Sequence, residues 1–196
     1  MYDSPADYHK KPTKIDQDIK LWLQDHGFNG IHTIVTCRWF DINETVCTNI
    51  KGASPNPDRR TFEALELLIA KVHAAGGLVH IWAWGDEQRR MTPIKWGKNG
   101  TVDQRLQRYI AARLGPLPGW SMSYGFDLDE WTVLKDLQTW HAYLQKHFGW
   151  SHFLGARSGG PNSGTDHKKW QIYDGLDYSS YEHHQPTYQV YVAAMN

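Results

Sequence analysis

The chain has 196 residues, 40% hydrophobic and 21% charged, which is the composition of an ordinary globular domain and excludes a disordered chain. Basic and acidic residues each number 21, so the chain lacks the basic excess that is typical of nucleic-acid-binding proteins. No apolar run is long enough for a transmembrane helix, and the amino-terminal segment lacks the basic and apolar regions of a secretory signal.

The first half of the chain alternates helical and extended patterns. Apolar residues at helical spacing predict a helix over 15–26, which ends at Gly27. The β-branched segment 31–36 predicts a strand. After a loop rich in asparagine, glycine and proline, a helix is predicted over 57–75, and the apolar segment 78–84 predicts a second strand.

The second half of the chain continues this alternation. The predicted elements are a helix over 102–114, a strand over 121–126, a helix over 131–148, strands over 152–156 and 176–181, and a helix over 186–195. Alternation of this kind favours parallel strands joined by right-handed crossovers. The sequence therefore predicts a single α/β domain.

The two cysteines, Cys37 and Cys47, show no zinc-binding spacing and are too few for a disulfide framework. They could pair with each other, but two unpaired, small apolar side chains are the favoured interpretation. The cysteines leave the compartment undecided, and the localisation is unknown, with secretion or a periplasmic location open for a full-length protein.

Polar, aromatic and acidic side chains follow the carboxyl ends of the predicted strands. They are Arg38, Trp39, Trp84, Asp86, Glu87, Asp127, Asp129, Glu130, Arg157, Tyr181, Glu182 and His183. A TIM barrel builds its active site from such positions, whereas a nucleotide-binding sheet shows a glycine-rich turn after a strand, which this sequence lacks. We therefore expect a TIM-type (β/α)8 barrel.

Three carboxyl groups follow the third predicted strand. In an extended chain Asp127 and Asp129 share one face and Glu130 lies on the other. Acid/base hydrolysis uses a pair of carboxyl groups, and repulsion between neighbouring acids raises one pKa, as a proton donor requires. The alternative is that these acids cap the helix predicted to begin at Trp131.

The second predicted strand and its end carry further candidates. Asp86 and Glu87 could supply a second carboxylate, bind sugar hydroxyls, or form ion pairs in a solvated loop. Trp39 and Trp84 could stack on a sugar ring or belong to the core. His80 lies in the middle of a strand and is interpreted as an interior histidine with a hydrogen-bond partner.

The remaining candidates point to recognition of a sugar. Arg38 and Arg157 could bind a carboxylate or sulfate, or fix the catalytic carboxylates. Tyr181, Glu182 and His183 are interpreted as groups that bind hydroxyls. Because adjacent histidines on a strand point to opposite faces, no metal site is predicted there, and no cofactor is expected.

Several segments resemble one enzyme group. Residues 108–120, together with the following SMSYGFDLDEW over 121–131, are similar to clan-A glycoside hydrolases, particularly their cellulase-like and apiosidase-like branches. Residues 26–35 and 177–183 are similar to other strand regions of the same enzymes. The resemblance implies a TIM barrel of which this chain covers strands two to six.

The resemblance also implies roles for individual residues. Phe126 and Asp127 stand where these enzymes have Asn-Glu, which gives Asp127 the place of the acid/base, with Asp129 and Glu130 as alternatives. The nucleophile of these enzymes lies on strand seven, which nothing here matches. We therefore expect one domain over 1–196, truncated at both ends, as a gene fragment or a degenerate barrel whose open sheet edges allow self-association.

Together these observations predict a glycoside hydrolase that acts on a poly- or oligosaccharide by carboxylate acid/base catalysis. The expected partner is the carbohydrate substrate, with neither nucleic acid nor membrane as a partner. Two alternatives stay open, namely a non-catalytic carbohydrate-binding remnant of the barrel and, with less support, a metal-dependent hydrolase or isomerase on the same fold.

Overall fold

The structure is a computed structural model that describes residues 3–44, 56–85, 96–125, 128, 131–157, 175–180 and 188–189. The five strands are Gly30–Ile34 (β1), Leu78–Trp84 (β2), Trp120–Gly125 (β3), Phe153–Arg157 (β4) and Tyr178–Ser180 (β5). The α-helices are Pro5–Lys10 (α1), Thr13–Asp18 (α2), Arg59–Ala74 (α3), Thr101–Leu114 (α4) and Leu134–His147 (α5). Among these elements no helix is both long and apolar enough to cross a bilayer.

The strands form one sheet in the order β1-β2-β3-β4-β5, and each neighbouring pair is parallel. This order confirms the predicted topology, with strand bounds that agree with the prediction to within two residues. Because right-handed crossovers that always step in the same direction leave their helices on the same side, the helices cover one face of the sheet. We call the opposite face, which carries His80 and Trp82, the inner face.

The sheet curves toward this inner face. The hydroxyl of Tyr178 on β5 lies 3.4 Å from Nδ1 of His80 on β2, although β3 and β4 lie between them. In a flat sheet those two strands would be roughly 14 Å apart. A contact across three strand spacings therefore requires the curvature of a barrel wall.

The core lies between the sheet and the helices. On β2 the buried side chains alternate, with Val79, Ile81 and Ala83 at most 2% exposed and His80 and Trp82 half-buried. The buried side of α3 follows the helical period; its fully buried apolar residues are Phe62, Leu65, Leu68, Ile69 and Val72. This alternation fixes which strand residues face the helices and which face the inner side.

The first predicted helix differs from the observed structure. Instead of one α-helix over 15–26, α2 continues into a π-helix over Ile19–Asp25. Because π-turns are wider than α-turns, the apolar stripe shifts after Ile19. Leu23 still packs against the core, whereas Trp22 is 40% exposed.

Helix α5 begins at Leu134, three residues later than predicted. Its N-cap is Val133, which has an extended backbone, and the acid of its first turn is Asp136. The prediction that this helix begins at Trp131 is therefore wrong, and with it the interpretation that Asp127 or Asp129 occupies its N-cap. The helix predicted over 186–195 lies outside the described residues, except for two helical positions, 188–189.

The cysteine prediction is also wrong. Cys37 is disulfide-bonded, and the sequence contains one other cysteine, Cys47. The spacing of ten residues between the two cysteines does not predict whether they are paired, because it allows a short disulfide loop as well as two separate thiols. Cys37 lies in the 3-10 helix Thr36–Trp39 directly after β1, so the disulfide is anchored near the carboxyl edge of the sheet.

Candidate functional site

The carboxyl ends of the parallel strands lie along one edge of the sheet. Trp84 is in register with Gly125, and Arg157 is in register with Ser180. The chain leaves the sheet here, and parallel barrels place their active sites at this edge. The described strands therefore carry the segments with the predicted site residues to a common edge.

Most of the predicted site residues lie outside the described residues. They are Asp86, Glu87, Asp127, Asp129, Glu130, Tyr181, Glu182 and His183, and the side chain of Arg157 belongs with them. Their roles stay predictions. The structure gives the positions of Arg38, Trp39 and Trp84.

Trp39 and Trp84 are core residues. Trp39 is 0% exposed, its Nε1 donates a hydrogen bond of 2.9 Å to the carbonyl of Ala83, and its ring contacts Phe62 of α3. Trp84 is 2% exposed and stacks on Phe40 with the ring centroids 6.4 Å apart. A sugar cannot reach a ring with so little exposed surface, so the predicted stacking platform is wrong and the alternative, core packing, is confirmed.

Arg38 occupies a half-buried position at the carboxyl edge. Its Nε atom is buried and has no hydrogen-bond partner among the described residues. Burial lowers the pKa of its guanidinium, while the carboxylates of Asp7 and Glu44 act in the opposite direction. The guanidinium as a whole is half-buried, and a half-buried guanidinium at this edge is suited to binding a carboxylate or sulfate group.

The backbone around Arg38 is held in place from two sides. The carbonyl of Arg38 accepts a hydrogen bond of 2.6 Å from Oγ1 of Thr61 in the first turn of α3. Thr36, the first residue of the 3-10 helix, has a positive φ of 56°, an unfavourable conformation for a β-branched residue. The surrounding structure therefore compensates for local strain where the chain turns away from β1.

The sequence did not reveal a polar and aromatic cluster on the inner face. Nδ1 of His80 lies 2.9 Å from Oγ of Ser121, and the ring of His32 lies 5.0 Å from the ring of His80 and 4.1 Å from that of Trp82. Burial lowers the pKa of His80 to about 4, so that the imidazole is neutral at neutral pH. This confirms that His80 is an interior histidine with a hydrogen-bond partner.

Tyr178 joins this cluster from β5. Its ring stacks on Phe153 with an angle of 10° between the planes, and burial raises the pKa of its phenol well above the usual value. The ring passes over Gly155, where an added Cβ would lie 2.6 Å from two ring carbons. In the sequence, alternation along the strand indicates which face of the sheet Tyr178 occupies. It does not indicate that Tyr178 contacts His80.

The inner-face cluster lies below the carboxyl edge. On β2, His80 lies four residues before Trp84, which ends the strand. His80 therefore belongs to the wall formed by the strands, below the carboxyl end of β2. Within the described ranges, no group of three or more His, Cys, Asp or Glu side chains is arranged to hold a metal ion.

No family model and no curated protein sequence matches the chain. Several solved structures with a similar fold are glycoside hydrolases. A putative glycoside hydrolase from Bacteroides vulgatus has a TM-score of 0.63 and 14% identity over 87% of this chain and 36% of its own. A glycoside hydrolase family 5 protein from the same organism has a TM-score of 0.57 and 14% identity over 84% and 35%.

A third similar structure is a GH5_18 protein variant from Bifidobacterium longum in complex with Manβ1-4GlcNAc. Its TM-score is 0.51 with 9% identity, over 80% of this chain and 42% of its own. The chain thus spans well under half the length of these three proteins. The similarity shows the fold, a glycoside-hydrolase-like α/β barrel wall of five parallel strands.

Proposed function

We propose that this chain is part of a glycoside hydrolase that acts on a poly- or oligosaccharide. The observation that carries the proposal is the end of β3, where Gly125 is followed within five residues by Asp127, Asp129 and Glu130. The glycoside-hydrolase-like fold supports it, because active sites of this barrel form at the carboxyl ends of the strands.

The observed start of α5 argues against one competing explanation for the three acids, namely that they cap this helix. That helix begins at Leu134 from Val133 and has its own first-turn acid, Asp136, which pairs with Lys98 at 2.6 Å. An acidic cluster before the helix is therefore not needed for its start. We assign Asp127 as the proton donor to the leaving oxygen, with Glu130 and then Asp129 as the alternatives.

The other proposed residues recognise the sugar. Arg38 binds an acidic group or orients a catalytic carboxylate, a role supported by its half-buried position directly after β1. Asp86 and Glu87 supply a second carboxylate or bind hydroxyls. Arg157 is proposed to bind an acidic group of the sugar, and Tyr181, Glu182 and His183 are proposed to bind its hydroxyls. The nucleophile is contributed from outside strands β1 to β5.

The proposed domain is one barrel, of which residues 1–196 form a part. Its first candidate ligand is a disaccharide of the kind seen with the Bifidobacterium longum protein, Manβ1-4GlcNAc. The disulfide of Cys37 supports an oxidising compartment, such as the cell exterior or the periplasm.

Turnover of aryl glycosides, including aryl β-mannosides, tests the proposal. We expect hydrolysis by the full-length gene product and none by the 196-residue chain, because the proposed nucleophile lies outside strands β1 to β5. Saccharide binding by both proteins without hydrolysis by either would instead identify a carbohydrate-binding remnant. Absence of both hydrolysis and binding in the full-length product would contradict the proposal.

A further inference from the structure

The sequence contains two Asn-Gly pairs, Asn29-Gly30 and Asn99-Gly100, and the structure places them in different surroundings. In such a pair the main-chain nitrogen of the glycine can attack the side-chain carbonyl carbon of the asparagine, because glycine has no side chain and restricts its backbone least. The attack needs an asparagine side chain that is able to turn and a glycine amide without a hydrogen-bond partner. The two pairs differ in both respects.

The side chain of Asn29 meets the first condition. Asn29 is exposed, lies in a bend directly before β1, and its side chain forms no hydrogen bond within the described residues. Its main-chain carbonyl accepts a hydrogen bond of 3.0 Å from the amide of Leu78. The main chain is therefore held against β2 while the carboxamide stays free to rotate toward Gly30.

The amide of Gly30 meets the second condition. The carbonyl of Asn29 and the amide of Val35 both bond to β2, and residues of a parallel strand face the neighbouring strand alternately. Gly30 therefore directs its amide away from β2, toward the edge of β1 that has no partner strand among the described residues. A pocket of about 360 Å³, lined also by Trp22 and Phe28, borders Gly30 and leaves room for water.

The fold requires glycine at position 30. A Cβ at this position would overlap the main-chain carbonyl oxygen of Leu78, the residue in register with Gly30. A larger residue would force β1 and β2 apart at this point. The reactive pair is thus a consequence of the close approach between the two strands.

Asn99-Gly100 is held at both reacting groups. The side-chain amide of Asn99 donates a hydrogen bond of 3.0 Å to the carbonyl of Asp136, and its oxygen accepts one of 3.2 Å from Gln107. The amide of Gly100 donates a hydrogen bond of 2.8 Å to the carbonyl of Gly97. Because attack would require these contacts to break, this pair is an internal reference of the same composition.

We propose that Asn29 in the folded chain converts spontaneously to aspartate and isoaspartate. The nitrogen of Gly30 bonds to Cγ of Asn29, its proton passes to the solvent, and the Cγ–Nδ2 bond breaks with release of ammonia. Water then opens the resulting five-membered imide. Opening at Cγ gives aspartate, and opening at the main-chain carbonyl carbon gives isoaspartate, so water is the only co-reactant.

The isoaspartate product alters the start of β1. The former main-chain carbonyl of Asn29 becomes a free carboxylate, and an additional methylene group enters the main chain before Gly30. The hydrogen bond between that carbonyl and the amide of Leu78 then no longer aligns β1 with β2. The modification therefore loosens the amino end of this strand.

Peptide mass spectrometry of the 196-residue chain tests this inference. The chain is incubated in mildly alkaline buffer under conditions in which circular dichroism shows that it is folded. The Asn29 peptide should gain the mass that replacement of an amide by a carboxyl group produces. We expect this reaction to be about tenfold or more faster than at Asn99, which must first break its hydrogen bonds.

Two comparisons control for the local chemistry. Asn29→Gln should abolish the isoaspartate formed at this position, because glutamine would have to close a six-membered ring. In concentrated urea the rates at Asn29 and Asn99 should become similar, since unfolding frees both pairs. Equal rates in the folded chain, or a faster reaction at Asn99, would overturn the inference.

The effect on β1 is measured on the separated products. We expect the isoaspartate form to unfold at a lower urea concentration than Asn29→Asp, which has the same additional charge and an unaltered main chain. Equal midpoints of unfolding for the two would contradict the loosening of β1. These measurements need no glycoside, so their outcome is separate from that of the proposed function.

Discussion

The imidazole of His80 and the hydroxyl of Ser121 meet across β2 and β3, with Nδ1 2.9 Å from Oγ, although 41 residues separate them in the chain. The parallel register aligns these two residues. With the hydroxyl of Tyr178 at 3.4 Å from the same nitrogen, one imidazole connects three strands on the inner face. Such a contact makes the stability of the sheet depend on the protonation of His80.

We expect His80 to destabilise the protein in acid. Its pKa is about 4 in the folded state because of burial, against 6.5 for a solvated histidine, so below pH 6.5 the unfolded state binds the proton more readily. Stability from this residue is present above pH 6.5 and is lost as the pH falls toward 4, by up to about 3 kcal/mol. Urea unfolding at several pH values measures this loss.

His80→Gln should show a smaller fall in the free energy of unfolding between pH 6.5 and pH 4 than the unmodified chain. His9→Gln, which removes an exposed histidine, is the control and should retain the full fall. An unchanged pH dependence in His80→Gln would show that burial of this ring has no effect on its protonation.

Asp103 should make the protein more stable as the pH falls, which is the opposite of the effect of His80. Burial raises its pKa to about 6, while hydrogen bonds from the Asn99 amide and the Gln107 side chain oppose that rise. Between pH 4 and pH 6 the folded state therefore holds a proton that the unfolded state has released, and stability from this residue falls as the pH rises, by about 3 kcal/mol in all. Relative to Asp103→Asn, the unmodified chain should gain stability on acidification from pH 6 to pH 4. Parallel curves for the two proteins would refute this.

Gly155→Ala should destabilise the inner face. A Cβ at this position would lie 2.5 Å from the carbonyl oxygen of Tyr178 and 2.6 Å from its ring. Relief of that overlap requires both the backbone and the ring of Tyr178 to shift, at a cost of about 1–3 kcal/mol. Gly149→Ala is the matched control, since no atom lies within 4 Å of its added Cβ. Thermal unfolding of both variants checks the prediction, and equal melting temperatures would contradict the close contact.

Trp39→Phe should reduce stability without changing saccharide affinity. The substitution removes the Nε1 donor and leaves the buried carbonyl of Ala83 without that hydrogen bond, which costs about 1–3 kcal/mol. Trp22→Phe, at a 40% exposed position, should have a much smaller effect. Chemical unfolding and titration with saccharide, at a temperature where all variants are folded, separate the two roles. A selective loss of saccharide affinity in Trp39→Phe would instead support the interpretation of Trp39 as a platform on which a sugar ring stacks.

Asp127→Asn tests the proposed proton donor. In the full-length gene product it should lower turnover of substrates with poor leaving groups by about 10²–10⁴-fold, which is the usual contribution of general acid catalysis. Substrates with activated leaving groups need little protonation and should be affected much less. Glu130→Gln should leave both rates nearly unchanged. The reverse pattern would assign the acid to Glu130.

The sequence was sufficient to predict the strand topology, but it was not sufficient to predict which side chains contact one another. Alternation of strand and helix patterns predicted the sequential parallel order, because crossover handedness leaves few arrangements. The burial of Trp39 depends on Phe62 and Ala83, and a contact of that kind has no local signal. The contact between Tyr178 and His80, 98 residues apart, follows from curvature that no single segment encodes.

The sequential strand order has a consequence for how the chain folds during synthesis. Each strand pairs with the strand made just before it, so no ladder depends on a strand that is made much later. The first strands leave the ribosome while later ones are still being made. The sheet can therefore grow from β1 toward β5. Because His80 and Tyr178 belong to non-neighbouring strands, their contact forms last and marks the completion of the curved wall.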